Sequence, residues 1–251
     1  MQIWAVFSAE VQKLRHDPFE LATRAIQPLL WLLLFGQVMA NVRGMTPGNF
    51  RYIDYLAAGI LAQSVLFSAI FFGISAIWEK DLGILHRMLV SPAPRSTVVL
   101  GKAMAAGVRG VIQGIIVYVI ATIAGADVSM NPLHILGVLL FIALGSALFS
   151  TLSLIIACIV KTRERFMGIG QVMTMPLFFA SNAIYPIALM PGWLQNIAHF
   201  NPLTYQVDGL RALMISGGTT EYGFIADYGI LAGVFAVLVL IAERMYPKLV
   251  A

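Results

Sequence analysis

WEKDLGILHRMLVSPAPRSTVVL, residues 78–100, separates two strongly apolar runs and decides how the chain is laid out. Leu82, Leu85 and Leu89 recur at i, i+3 and i+7, with Met88 beside them, so its centre reads as a short amphipathic helix. Lys80, Asp81, His86 and Arg87 are its polar neighbours. Pro92 and Pro94 forbid the helix to continue and stiffen the way out. From these residues alone two roles stay open. The helix lies on a bilayer surface, or it is offered to a soluble partner.

The bilayer enters through composition. The chain has 251 residues, 59% of them hydrophobic and 11% charged. Soluble domains run near a quarter charged, and none of this length buries so much apolar surface. The fold class is therefore an all-α polytopic membrane protein, because lipid leaves every backbone hydrogen bond to be made within the helix. Six apolar segments are predicted to span, at residues 25–42, 56–78, 108–126, 133–160, 166–189 and 224–242, each near the roughly 20 residues a bilayer requires. Residues 1–20 precede them. There Trp4, Phe7, Val11 and Leu14 share one helical face, which predicts an amphipathic interface helix ended by Pro18.

Lys and Arg set the expected orientation. Lys13, Arg15, Arg24, Lys80, Arg87, Arg95, Lys102, Lys161, Arg163, Arg165, Arg244 and Lys248 fall on one side, joined by Arg109 if it stands at the start of the third span. Arg43, Arg51 and Arg211 fall on the other. That divides the 16 basic residues 13 to 3. Both termini, the loop at 79–95 and the KTRER turn at 161–165 are thus expected in the cytoplasm. The basic balance is topological, and no nucleic-acid partner is expected.

Residues 191–218 are half apolar yet too polar to span. Asn201–Pro202 is an N-cap with proline at N1, and Gly217–Gly218 supplies a stop. Two short helices follow, at about 192–199 and 202–215, read as a re-entrant pair between spans five and six. Asn201, Pro202, Tyr205, Asp208 and Arg211 mark it. Asp208 and Arg211 are three apart and are expected to pair on one helix face.

The twelve acidic residues avoid the middle of every predicted span, as do Lys, Arg and His. An ion-driven carrier places such groups near the midplane. Gly101–Lys102 lacks the remainder of a Walker A loop. The four histidines and the single Cys158 have no metal-ligand spacing. The chain is expected to be no enzyme and to bind neither cofactor nor metal. Active transport would need another subunit for its energy; the alternative class is an ATP-independent channel or carrier.

Residues 79–102 resemble the E-x-x-x-G-x-L-x-x-L-x-x-x-P-x-x-R…GK stretch of type-2 ABC exporter permeases. The matching positions are Glu79, Gly83, Leu85, Pro92, Arg95, Gly101 and Lys102, with Met88 or Leu89 at the family's second leucine. NPLTYQVDGLR, residues 201–211, looks like the same family's segment before its last span. The N-terminal helix, Pro18, Pro28 and Phe35–Gly36 fit its approach to span one. The nearest likeness is to daunorubicin-type drug permeases and to nodulation-factor and polysaccharide exporters.

The resemblance implies a homodimer in the cell inner membrane, with two copies of an ABC ATP-binding subunit that hold ATP and Mg. It implies efflux of a drug-like or lipid-linked amphiphile, with polysaccharide or lipo-oligosaccharide export as the alternative. The loop helix becomes a coupling helix, carried by Glu79, Lys80, Gly83, Leu85, His86, Arg87 and Leu89. Lys161, Arg163 and Arg165 form a second cytoplasmic contact. Spans one and five line the substrate path, with Gln37, Gln171, Thr174, Met175, Phe178, Phe179, Ser181 and Asn182 as its expected lining. Gly107, Gly110, Gly114, Gly145 and Gly168 are expected at close helix contacts.

Overall fold

A computed structural model of the chain describes residues 26–39, 50–83, 95–160 and 162–246, with Trp4, Phe7, Ser8 and Gln12 of the N-terminal stretch. Eight helices are found among the described residues: α1 (Ile26–Met39), α2 (Tyr52–Asp81), α3 (Arg95–Ile123), α4 (Pro132–Val160), α5 (Arg163–Phe179), α6 (Gly192–Phe200), α7 (Pro202–Met214) and α8 (Phe224–Met245). Four of them, α2, α3, α4 and α8, are long and apolar enough to cross a bilayer. α1 is shorter and contains a π turn at Trp31–Phe35, closed by the Gly36 N–H on the Trp31 carbonyl. α5 has 17 residues. It ends at Phe179 just after Pro176, where the sequence reading runs on to 189. Residues 180–191 then fold back through turns and a 3-10 turn at Ile187–Leu189.

α2 and α4 form the centre. α4 packs against α2, α3, α5, α7 and α8. The most apolar 18-residue window of α2 is 78% buried, against 11% for α8, so α2 is an inner helix and α8 a peripheral one. The helices approach closely because small residues face each other. A methyl group on Gly59 would overlap the Ala183 carbonyl, and one on Gly110 would meet Ser146. Gly107, Gly114 and Gly145 likewise face Ala143, Ile142 and Gln206. Gly168 differs from the expectation: nothing lies within 4 Å of the place its Cβ would take. Hydroxyls and an amide tie the same interfaces. Ser146 Oγ donates to the Ala106 carbonyl at 2.6 Å, Ser153 Oγ to the Ile70 carbonyl, and Gln113 Nε2 to Ser64 Oγ at 2.9 Å.

α3 is continuous from Arg95, so Arg109 sits inside a helix rather than at its start. Its guanidinium lies 5.4 Å from the Phe72 ring centre. Of the N-terminal helix, Trp4 and Phe7 share a face as expected, their rings 4.9 Å apart. Phe7 lines an apolar groove with Leu100 and Met104 of α3 and Phe235 of α8. The bundle has two distinct ends. The basic end gathers the last turn of α2 and the first turns of α3 and α5. The far end gathers the start of α2, the α3–α4 turn, residues 180–191 and α7.

Gly59→Val forces α2 away from Ala183 and is expected to destabilise the bundle by about 1–3 kcal/mol, the usual penalty of overpacking. Gly168→Ala meets open space and leaves stability unchanged or slightly raised. Thermal unfolding of the two detergent-purified variants reads the contrast.

Candidate functional site

The basic end is organised by charge. α2 closes at Leu82 and Gly83; Gly83 takes a φ of +70°, favourable to glycine, and turns the chain out of the helix. One turn earlier, Glu79 points inward and is 3% exposed. Lys102 of α3, 0% exposed, donates to its Oε2 at 2.7 Å. Lys102 also stands 5.9 Å from the Phe72 ring centre. Glu79 and Lys102 therefore join the two helices that flank residues 84–94. A second link lies beside it. Arg163 at the start of α5 donates to Asp81 Oδ2 at 2.6 Å, and its guanidinium stacks 3.6 Å from the Trp78 ring centre.

Of the residues expected to couple, Glu79 is buried in that pair, Lys80 is half-buried and Gly83 is exposed. Leu85, His86, Arg87 and Leu89 lie outside the described residues, as does Lys161. Arg163 is half-buried and Arg165 exposed. The sequence reading used Lys102 as a motif position and missed it as the partner of Glu79. It missed Asp81 and Trp78 as partners of Arg163.

The eight residues expected along a path do not share one surface of the chain. Gln37, Gln171 and Phe179 are exposed and Met175 is half-buried. Thr174, Phe178, Ser181 and Asn182 are buried. Phe178 packs edge-on against Trp31 of α1, and Thr174 Oγ1 bonds back to the Gly170 carbonyl. Ser181 Oγ donates to the Phe178 carbonyl at 2.7 Å and finishes the helix end. A polar recess of about 180 Å³ does open between α1 and α2, lined by Gln27, Gln63, Ser64 and Ser68 among apolar side chains. Those α2 residues were not anticipated, although a glutamine within an apolar run is the signal that marks them.

At the far end, α7 starts as its sequence predicts. Asn201 Oδ1 accepts the Leu203 N–H at 3.0 Å, with Pro202 at N1. Asn201 Nδ2 also donates to the Leu177 and Ala180 carbonyls, at 2.7 and 2.8 Å, which fastens α7 to the end of α5. Asp208 and Arg211 do not pair with each other. Arg211 Nη2 donates to the Asn182 carbonyl at 2.6 Å and the guanidinium stacks 3.6 Å from the Tyr55 ring centre. Asp208 Oδ2 instead accepts the Glu221 and Tyr222 N–H groups, at 2.8 and 3.3 Å. Asp208 thereby holds down a strap, residues 216–223, bounded by Gly217 and Gly223 at φ +78° and +92°. Tyr205 Oη donates to the His199 carbonyl at 2.6 Å, and its ring sits 5.0 Å from that of Tyr222. Burial and the nearby Glu221 push the Tyr222 hydroxyl up to about 12. Arg51 holds its proton more firmly than usual because Asp54 accepts two hydrogen bonds from it.

Among the described residues no cluster of His, Cys, Asp and Glu is arranged to hold a metal ion. The family model described as "ABC-2 type transporter" matches residues 1–215. A chain from Cyanophora paradoxa described as a transport permease, ycf38, is 30% identical over 205 residues, covering 80% of this chain and 70% of that one. The daunorubicin resistance ABC transporter permease protein DrrB1 of Streptomyces coeruleorubidus is 22% identical over 233 residues, 92% of this chain and 81% of its own. Nodulation protein J of Rhizobium leguminosarum bv. trifolii is 27% identical over 191 residues, 75% and 71% of the two chains.

Breaking a buried ion pair by removing one member costs roughly 3–5 kcal/mol. Lys102→Met and Glu79→Leu are each expected to lower the unfolding temperature of the purified chain sharply. The double variant should lose less than the sum of the two. A double-mutant cycle in thermal unfolding checks this, and additive losses would contradict it.

Proposed function

The chain belongs to the ABC-2 type transporter family, and from that premise we propose that it is the permease subunit of an ATP-driven exporter. Two copies form the membrane pathway in the cell inner membrane, with both termini in the cytoplasm. Two copies of a separate ABC ATP-binding subunit hold ATP and Mg and supply the energy. The cargo is an amphiphile, drug-like or lipid-linked, drawn from the cytoplasm or the inner leaflet and released outside. This chain performs no hydrolysis itself.

One observation carries the reading. The buried Glu79–Lys102 pair joins the two helices that flank residues 84–94, whose sequence resembles the family's coupling helix. A push on that segment is thus delivered to two inner helices at once. The Asp81–Arg163 contact extends the same push to α5. α5 and α1 expose Gln171, Phe179 and Gln37 on the surface of the single chain, where a second copy would complete a path. The recess at Gln63 and Ser64 adds polar groups beside it. Export of a polysaccharide or lipo-oligosaccharide is the second reading, favoured by hydroxyl and amide groups lining a cavity at the far end.

Asp81→Ala separates coupling from folding. Its pair with Arg163 is partly exposed, 33% and 42%, and exposed pairs contribute about 0–1 kcal/mol. The variant is expected to fold and to co-purify with the ATPase subunit while ATP-dependent flux in proteoliposomes falls severalfold. A tagged wild-type chain that never retains an ATPase, with flux that follows a proton gradient instead, overturns the proposal.

A further inference from the structure

We propose that Asp208 of α7 and Asp227 of α8 hold one proton between them, and that this proton latches the strap at residues 216–223 to the bundle. Asp227 stands in the first turn of α8 and is 0% exposed, and neither oxygen of its carboxyl meets a hydrogen-bond donor. A bare carboxylate there has left water and found no N–H or O–H to replace it. The group within hydrogen-bond reach is the Asp208 carboxyl, itself 4% exposed. Two facing carboxylates repel, whereas a carboxylic acid facing a carboxylate donates to it. One proton therefore gives the Asp227 carboxyl its partner and removes the repulsion.

The surroundings assign the two groups different parts. Asp208 Oδ2 already accepts the Glu221 and Tyr222 N–H groups, and the Arg211 guanidinium lies near it. Asp208 is thus the acceptor and Asp227 the donor. Among the described residues, the other polar groups on the elements around Asp227 are engaged elsewhere. On α7, the Tyr205 hydroxyl is bonded to the His199 carbonyl of α6. On the strap, the Tyr222 hydroxyl is bonded to the His199 ring, and the exposed Glu221 carboxylate adds negative charge. α4 brings the Phe141 ring, packed edge-on against the exposed Tyr228 of α8, while its His134 is bonded to Ser129. The Tyr118 hydroxyl of α3 is bonded to the Ser129 carbonyl. Arg211 itself is held by the Asn182 carbonyl and the Tyr55 ring of α2.

The strap depends on this proton because it joins the two carboxyls. Asp208 ties it down at Glu221 and Tyr222, and it runs into α8 through Gly223, whose carbonyl accepts the Asp227 N–H at 3.0 Å. Loss of the proton as pH rises sets a second negative charge against Asp208. The helices on either side are packed, while the strap has Gly217 and Gly223 at its ends, at φ +78° and +92°, so the strap is the part that gives way. Acid fixes it and alkali frees it. Thr219, Thr220 and Glu221 line the far-end cavity, so release opens that wall. With the basic end in the cytoplasm, as the export reading has it, the latch senses acidity on the side where cargo leaves. The latch itself stands without that reading.

The test uses the full-length chain in lipid nanodiscs with no ATPase present, so it succeeds or fails apart from the export reading. Cys158, the single cysteine, is replaced by alanine, and a nitroxide is attached to the strap through Thr219→Cys. Between about pH 5 and about pH 9, above the ordinary carboxyl range and below that of tyrosine, label mobility is expected to rise severalfold. Asp227→Asn puts a permanent donor beside Asp208 and is expected to keep the label immobile throughout. Infrared difference spectra give a second readout: a protonated-carboxyl band that fades as pH rises and is missing from Asp227→Asn. Asp208→Asn removes the like charge while its amide oxygen still accepts the strap N–H groups. It is expected to abolish the pH response too, and decides the matter if Asp227→Asn does not fold. His199→Gln is expected to keep the response. Mobility that ignores pH, a response that survives in either aspartate variant, or one lost in His199→Gln overturns the proposal.

Discussion

A charge removed from water must meet its opposite, and in this chain that constraint is concentrated in Glu79 and Lys102. Each is nearly fully buried, one in the last turn of α2 and the other in the second turn of α3. Breaking such a pair from either side is costly. Their pairing sets the spacing and rotation of the two helices at the basic end, from which the segment between them departs. The cation-π contacts of Lys102 and Arg109 with Phe72 lie on the same seam and continue it into the bundle.

Above that clamp the helices are held by contact rather than by charge. Glycine and serine let α2, α3 and α4 approach until carbonyls and hydroxyls meet, as at Gly59 with Ala183 and Gly73 with Ser153. Lipid gives apolar side chains little reason to prefer each other, so close packing and short polar bonds carry the association. Bulk on these seams would act along whole helices. The peripheral faces of α5 and α8 are free of this restriction, and large side chains such as Val172, Phe179 and Ile225 stand exposed there.

The sequence made the helical class legible because hydropathy and period speak for each segment alone. It also made the start of α7 legible, since Asn201 and Pro202 act on their own neighbours. What it could not show were contacts between segments. Nothing local joins Glu79 to Lys102, which are 23 residues apart. The i, i+3 rule suggested Asp208 with Arg211, but the Tyr55 ring and the Asn182 carbonyl lie where only the folded chain brings them. The end of α5 was misjudged because Phe179 is followed by residues apolar enough to continue a span, whereas they turn back toward α6. The path residues were read as one lining; α5 has two faces, and Thr174 and Phe178 belong to the inner one.

The strap at residues 216–223 is secured by Asp208 through main-chain amides alone. Any residue with an N–H serves this bond at position 221, while the Tyr222 ring also packs on Tyr205, and the glycines at 217 and 223 set the path of the chain between them. Thr219, Thr220 and Glu221 are therefore free to be exchanged for other side chains without displacing the backbone that carries them. Such a segment lets the far end of the protein diversify by point substitution while the bundle beneath it stays as it is.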